Sequence, residues 1–197
     1  TINILSELDK GKVVSLITDA GTPLISDPGY KLIRRIRQSR HHIFSLPGPC
    51  SAIASLIISG LKTDKFCFLG FLPKNKNNYI ATLRDYTKLN YSLIIYEKPS
   101  RLNFFLTAIQ ENFKNFKLVI VKELSKMYED IFFVTQENIQ SFLKDRKKIK
   151  GELTIIAEIS GSTNKIYTDI EIMSELKKLK PSQVSAMLSK SSSQSRN

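Results

Sequence analysis

Three groups of residues in this chain have types and spacings suited to chemistry. The first is the turn Thr18-Asp19-Ala20-Gly21-Thr22-Pro23-Leu24-Ile25-Ser26-Asp27-Pro28-Gly29. It follows an apolar run, Val13-Val14-Ser15-Leu16-Ile17, that reads as a buried strand, and precedes a helical pattern with Leu32, Ile33 and Ile36 on one face. A strand that stops, turns on small residues and re-enters helix leaves backbone N–H groups free at the carboxyl end of a sheet, where open α/β folds bind ligands. Gly21 allows a left-handed backbone or close approach of a ligand. Thr22-Pro23 and Asp27-Pro28 each have the form of an N-cap followed by proline at the first helical position. The other two groups are carboxylates beside cations at predicted strand ends: Glu97 with Arg101, and Glu123 with Ser125 and Lys126. Such pairs move protons and hold phosphates in active sites, and elsewhere form structural ion-pair clusters. The sequence leaves both options open.

The elements that would position these groups follow in order. A short helix from Ile4 to Leu8 is closed by Gly11. The predicted strands 12–18 and 42–46 each lead through a turn into a helix, at 30–39 and 50–59. The second turn is Pro47-Gly48-Pro49, where each proline fixes φ. Two strand–turn–helix units with both turns at one end form half of a doubly wound parallel sheet. The apolar strand Phe66-Cys67-Phe68-Leu69-Gly70-Phe71 follows, and the polar stretch from Leu72 to Asn78 marks a domain boundary. Beyond it the pattern is α+β, with helices near 79–89, 101–113 and 136–144 and strands near 92–96, 117–122, 130–135 and 152–159. The organisation is therefore a partial N-terminal α/β domain over 1–72, a C-terminal α+β domain over 73–160, and a segment over 161–197 with a helix around Ile170 to Leu179 and a serine-rich disordered tail.

Composition narrows the function. The chain has 197 residues, 42 % apolar, and a net charge of +12. The basic excess favours polyanionic partners. No apolar run approaches the roughly 20 residues that span a bilayer, and the start lacks the pattern of a secretory signal. Cys50 and Cys67 have neither pairing nor metal-like spacing and read as reduced cysteines of a cytoplasmic protein. His41 and His42 are adjacent, point to opposite faces of a strand and do not suit one metal, so no metal site is expected. A dinucleotide oxidoreductase is disfavoured, since no Gly-x-Gly-x-x-Gly follows any predicted strand.

The string Asp19 to Gly29 resembles the signature of the tetrapyrrole methylase superfamily, and more closely its 16S ribosomal RNA (cytidine 2′-O)-methyltransferase branch. Further segments agree in order: Leu46-Pro47-Gly48-Pro49-Cys50-Ser51-Ala52, Gly70-Phe71-Leu72-Pro73-Lys74, Tyr96-Glu97-Lys98-Pro99-Ser100-Arg101-Leu102, Lys122-Glu123-Leu124-Ser125-Lys126 with Glu129, and Lys150-Gly151-Glu152. The resemblance covers about residues 10 to 160. It implies a two-domain tetrapyrrole-methylase-like fold, S-adenosylmethionine as methyl donor, a cytidine ribose of the small ribosomal subunit as acceptor, a homodimer and no membrane. It places the donor against Ala20, Gly21, Thr22, Ile25, Cys50 and Ser51. Asp19 either accepts hydrogen bonds from the ligand or caps its own loop. For the acceptor, Glu97 or Glu123 would take the 2′-hydroxyl proton, and Arg101 and Lys126 would hold phosphates, unless these residues form structural ion pairs. Lys147 and Lys148, within the basic run 144–150, are either RNA contacts or a solvated loop. The family's first glycine loop has no counterpart here, so the chain is expected to be N-terminally truncated. Two other functions are weighed: a tetrapyrrole C-methyltransferase, disfavoured because Ala20-Gly21-Thr22-Pro23 stands where those enzymes usually carry Gly-Gly-Asp-Pro, and a non-catalytic RNA-binding α/β module.

Overall fold

Ser92-Leu93-Ile94-Ile95-Tyr96-Glu97 is apolar at four successive positions, the pattern of a strand covered on both faces. In the computed structural model this segment is β2, inside a five-stranded sheet. The structure describes residues 2–145 and 149–162 and, further on, 173–174, 176 and 180–184. Its elements are α1 (Ile2–Asp9), α2 (Tyr30–Gln38), α3 (Ser51–Ile58), β1 (Phe66–Phe71), α4 (Lys76–Thr87), β2 (Ser92–Glu97), a 3₁₀ turn (Pro99–Arg101) leading into α5 (Leu102–Asn112), β3 (Phe113–Lys122), β4 (Asp130–Thr135), α6 (Ile139–Asp145) and β5 (Leu153–Ser162). The expected helix around Ile170 lies mostly outside the described residues, as do Lys147, Lys148 and the serine-rich tail.

The strand order is β1-β2-β5-β3-β4. β1 runs parallel to β2, and the other three pairings are antiparallel. Alternation sorts the side chains of the central strands into two cores. On one face Leu93, Ile95, Leu118, Ile120, Ile155 and Ala157 meet Tyr79 and Leu83 of α4, Phe105, Leu106 and Ile109 of α5, and Ile139 of α6. On the other, Ile94, Val119, Val121 and Ile156 meet Ala52 and Leu56 of α3. Ala52, Ser55, Leu56 and Ser59, spaced as one helical face, are all buried. The helix at the second turn is therefore seated directly on the sheet.

α4 starts three residues earlier than its periodicity predicts because Asn75 caps it: its side-chain oxygen accepts from the amides of Asn77 (2.9 Å) and Asn78 (3.3 Å). The expected boundary at 72/73 falls between β1 and α4, and β1 ladders with β2 across it.

The two strands expected at 12–18 and 42–46 do not form. All strands among the described residues lie after Lys65. Val13 is 94 % exposed and Ile17 86 %. An apolar run becomes a strand only when a neighbour completes its ladder, and none among the described residues does so. The two proline caps are also not used as expected. α2 begins at Tyr30 behind Gly29 (φ 138°), because the Asp27 carboxylate accepts instead from Thr18 Oγ1 at 2.8 Å. No helix starts at Thr22-Pro23, where Leu24 (φ 72°) and Ser26 (φ 64°) take the left-handed conformation.

Candidate active site

The two small-residue turns meet. Thr22 donates its hydroxyl to the Pro49 carbonyl at 2.8 Å. Gly21 is left-handed (φ 74°), and a Cβ on it would stand 3.7 Å from the same carbonyl. Asp19, Ala20 and Gly21 are exposed beside this junction, Ile25 is exposed, and Thr22 and Cys50 are half-buried. Asp19 makes no hydrogen bond to its loop among the described residues; Asp27 has that role. Cys50 is the N-cap of α3 in extended geometry and supplies no side-chain cap. Ser51, one residue on, places its hydroxyl 2.7 Å from the phenol of Tyr96. The second turn is thus fastened to the carboxyl end of β2.

The first turn reaches the sheet at β1. A Cβ on Gly70 (φ 59°) would lie 3.6 Å from Ser26 Oγ. Phe68 meets Tyr96 edge-on at 5.0 Å between ring centroids, and Phe71 meets it at 5.7 Å. The surface so formed is backbone and small residues on one side and aromatic rings on the other. The small-residue side offers main-chain hydrogen bonds to a ligand, and the aromatic side offers a separate face for stacking.

Glu97 and Arg101 come together in a buried clasp. The Glu97 side chain is 0 % exposed and stands 3.5 Å from Arg101 Nε. It also accepts from the Tyr79 hydroxyl (3.2 Å) and the Lys98 amide (2.9 Å). Burial and the Glu97 charge both raise the Tyr79 phenol far above its ordinary pKa, so it stays a donor. The remaining arms of Arg101 donate to the carbonyls of Leu72 (3.3 Å) and Pro73 (3.0 Å), and its plane lies over the Tyr79 ring at 5.3 Å. Tyr79 has no signal in the sequence beyond its place on an apolar helix face.

Glu123 and Lys126 form a second unit with Gly151 and Glu152. The Glu123 carboxylate accepts from the Glu152 amide (2.7 Å) and from Lys126 Nζ (3.2 Å), and Lys126 also reaches Glu152 at 3.0 Å. The Glu152 amide first, then Lys126, hold the Glu123 carboxyl below its ordinary value of 4.5. Glu123 (φ 50°) and Ser125 (φ 61°) are left-handed, and the Ser125 amide donates to Glu129. Because the folded pKa is depressed, the contribution of Glu123 to stability is complete above 4.5 and is lost as pH falls through the lower folded value. The urea midpoint of wild type is therefore expected to exceed that of Glu123→Gln at pH 7, and the gap should narrow and close as pH falls below 4.5 through the depressed folded value. A gap independent of pH would remove the charge from the account.

The two clasps stand at the same end of the sheet. Glu97 and Lys122 pair with Leu153 from its two sides, which sets them two strand spacings, about 10 Å, apart. Among the described residues there is no cluster of side chains fit to hold a metal, and no helix is long and apolar enough to cross a membrane.

Residues 2–140 match the family model described as Tetrapyrrole (Corrin/Porphyrin) Methylases. A protein of Rickettsia prowazekii (strain Madrid E) named Ribosomal RNA small subunit methyltransferase I is 40 % identical over 159 residues, 81 % of this chain and 56 % of that one. Its namesake in Hydrogenobaculum sp. (strain Y04AAS1) is 38 % identical over 154 residues, 78 % of this chain and 66 % of the relative. The chain spans about half the length of most of the curated relatives it matches. Among solved structures, the methyltransferase CobJ superposes with a TM-score of 0.57 at 14 % identity, covering 85 % of this chain and 72 % of that one. The uroporphyrin-III C-methyltransferase of Thermus thermophilus complexed with S-adenosyl homocysteine does so with a TM-score of 0.51 at 13 % identity, covering 78 % and 70 %. The family match spans the signature turn, the Pro-Gly-Pro turn and both clasps as far as Lys126, and on it the chain belongs to the tetrapyrrole (corrin/porphyrin) methylases.

Proposed function

We propose that this chain is part of a methyltransferase that uses S-adenosylmethionine to methylate the ribose 2′-hydroxyl of a cytidine in 16S ribosomal RNA. The observation that carries the reading is the junction of the two turns at Thr22 and Pro49, held against β2 through Ser51 and Tyr96. The names of the relatives at 35–40 % identity support the RNA substrate. The residues fit the donor: Ala20, Gly21 and Ser51 expose backbone where a nucleoside can approach closely. When bound, the donor supplies an electrophilic methyl. The chain's task is then to hold the hydroxyl in line with it and to keep water out.

The carboxylates divide by exposure. Glu97 is fully buried and serves to fix the Leu72-Pro73 segment. The Glu123 side chain is 18 % exposed and is the better placed of the two to accept the hydroxyl proton, with Lys126 beside it for a phosphate. The reading extends to a homodimer acting in the cytoplasm, where ribosomal subunits are found; resemblance to the superfamily supports the first, and the RNA acceptor the second.

The test is transfer of a radiolabelled methyl to small subunits lacking the modification, followed by digestion. Label on a cytidine ribose supports the reading, and label only on an offered uroporphyrinogen replaces it. Gly21→Val is expected to weaken S-adenosylhomocysteine binding at least about tenfold in equilibrium dialysis, since a branched side chain at φ 74° strains the turn beside Pro49. Unchanged affinity would take this turn out of the site.

A further inference from the structure

β1 contains a bulge. Its register against β2 shifts between Phe68, which pairs with Ile94, and Gly70, which pairs with Ile95; Phe71 then pairs with Tyr96. In a regular strand, residues three apart point to opposite faces. The extra residue cancels that alternation. Phe68 and Phe71 therefore lie on one face, and both rings meet the Tyr96 ring. Gly70, at φ 59°, makes the bulge possible and brings Ser26 of the signature turn to its edge. The outcome is costly for a soluble surface: Phe68 stays 37 % exposed and Phe71 54 %. Neither ring belongs to either core.

The surroundings indicate what covers the rings. Lys74 and Lys76 follow Phe71 within five residues, Lys98 follows Tyr96 by two, and all three are exposed, with no carboxylate in ion-pair range among the described residues. Exposed aromatic faces continuous with the turn assigned to the methyl donor, in a chain of net charge +12 with unpaired lysines following both strands, match an unpaired nucleotide, whose base stacks and whose phosphates lysine holds. The geometry points to Phe68, Tyr96 and Phe71 as a stacking platform for an unpaired nucleobase of the acceptor RNA, at or next to the methylated nucleotide. This rests on the function proposed above and adds to it how the acceptor strand is gripped.

The experiment uses a cytidine-centred octaribonucleotide carrying a fluorescent cytosine analogue, titrated into the 197-residue chain, with S-adenosylhomocysteine affinity measured in parallel. Phe71→Ala and Phe68→Ala are expected to weaken oligonucleotide binding about five- to fiftyfold and to abolish quenching of the analogue. Phe71→Leu should behave like Phe71→Ala, because it restores apolar area without a ring. Affinity for S-adenosylhomocysteine should not change. Both rings are substantially exposed, so the variants should fold as wild type. Oligonucleotide affinity unchanged in Phe71→Ala overturns the platform. A drop in S-adenosylhomocysteine affinity with RNA binding intact also overturns it, assigning the rings to the donor's adenine. Loss of a sedimenting dimer with RNA binding intact assigns them to a second copy instead. Failure of wild type to bind RNA or transfer methyl removes the underlying function as well; transfer with an unaltered KM for subunits in Phe71→Ala removes the platform alone.

Discussion

Arg101→Ala is expected to destabilise the fold by about 2–4 kcal/mol, a figure taken slightly below that for a fully buried pair because the Arg101 side chain is 24 % exposed. Three losses coincide. The Glu97 carboxylate stays buried with its nearest cation gone. The carbonyls of Leu72 and Pro73 lose their donors. The Tyr79 ring loses the guanidinium over its face. Arg101→Lys should recover little, since one ammonium cannot serve the carboxylate and two carbonyls at once. Glu97→Gln should cost less than Arg101→Ala, because the amide oxygen still accepts from Tyr79 or Lys98 and no uncompensated anion is left. Urea unfolding with an unchanged slope would read these values. If Arg101→Ala leaves stability within about 0.5 kcal/mol and weakens RNA binding instead, its arms serve phosphate rather than the chain.

Gly151→Ala would bring the closest contact of any glycine-to-alanine change among the described glycines and is expected to be strongly destabilising. A Cβ there would stand 2.4 Å from Glu123 Cδ and 2.5 Å from its Cγ and Oε1, at a φ of 94°. The backbone strain alone is worth about 1–3 kcal/mol. To relieve the overlap the Glu123 side chain must swing away, which breaks its bond from the Glu152 amide and its contact with Lys126. The variant is therefore expected to lose the pH dependence assigned to Glu123 along with its stability. A double variant, Gly151→Ala with Glu123→Ala, removes the obstacle and should regain part of the loss. If it regains nothing, the strain lies in the backbone alone.

These two clasps show what a sequence conveys and what it withholds. Lys122 to Lys126, Glu129 and Lys150-Gly151-Glu152 are recognisable as separate strings. Their meaning as one unit appears only when β3 and β5 pair and Glu123 fills the space that Gly151 leaves. The central strands were legible because being buried on both faces imposes unbroken apolar runs, as in Leu93 to Ile95 and Ile155 to Ala157. The same rule misled at Val13 to Ile17, since an apolar run records an opportunity to pair and the pairing itself depends on a neighbour. The strand-like runs before the two turns predict them at one end of a parallel sheet, but those strands do not form; the turns meet through the bond from Thr22 to Pro49, which the sequence hides because Thr22 has the form of a helix cap and only tertiary contact redirects its hydroxyl. Tyr79 and the bulge at Gly70 depend on register, which one chain read alone does not encode visibly.

The sheet order also dictates when the molecule can become itself. β5, the last strand among the described residues, sits in the middle of the sheet, between β2 and β3. Until residues 153–162 exist, the β1–β2 pair and the β3–β4 pair share no ladder, and each presents a bare inner edge of apolar strand. Folding on the ribosome must therefore wait for this closing strand, while the earlier segments persist as two unsealed halves. Closure joins partners as distant as Leu93–Glu97 and Leu153–Ala157, which makes it slow by topology and leaves the nascent chain dependent on protection from self-association until that strand has paired.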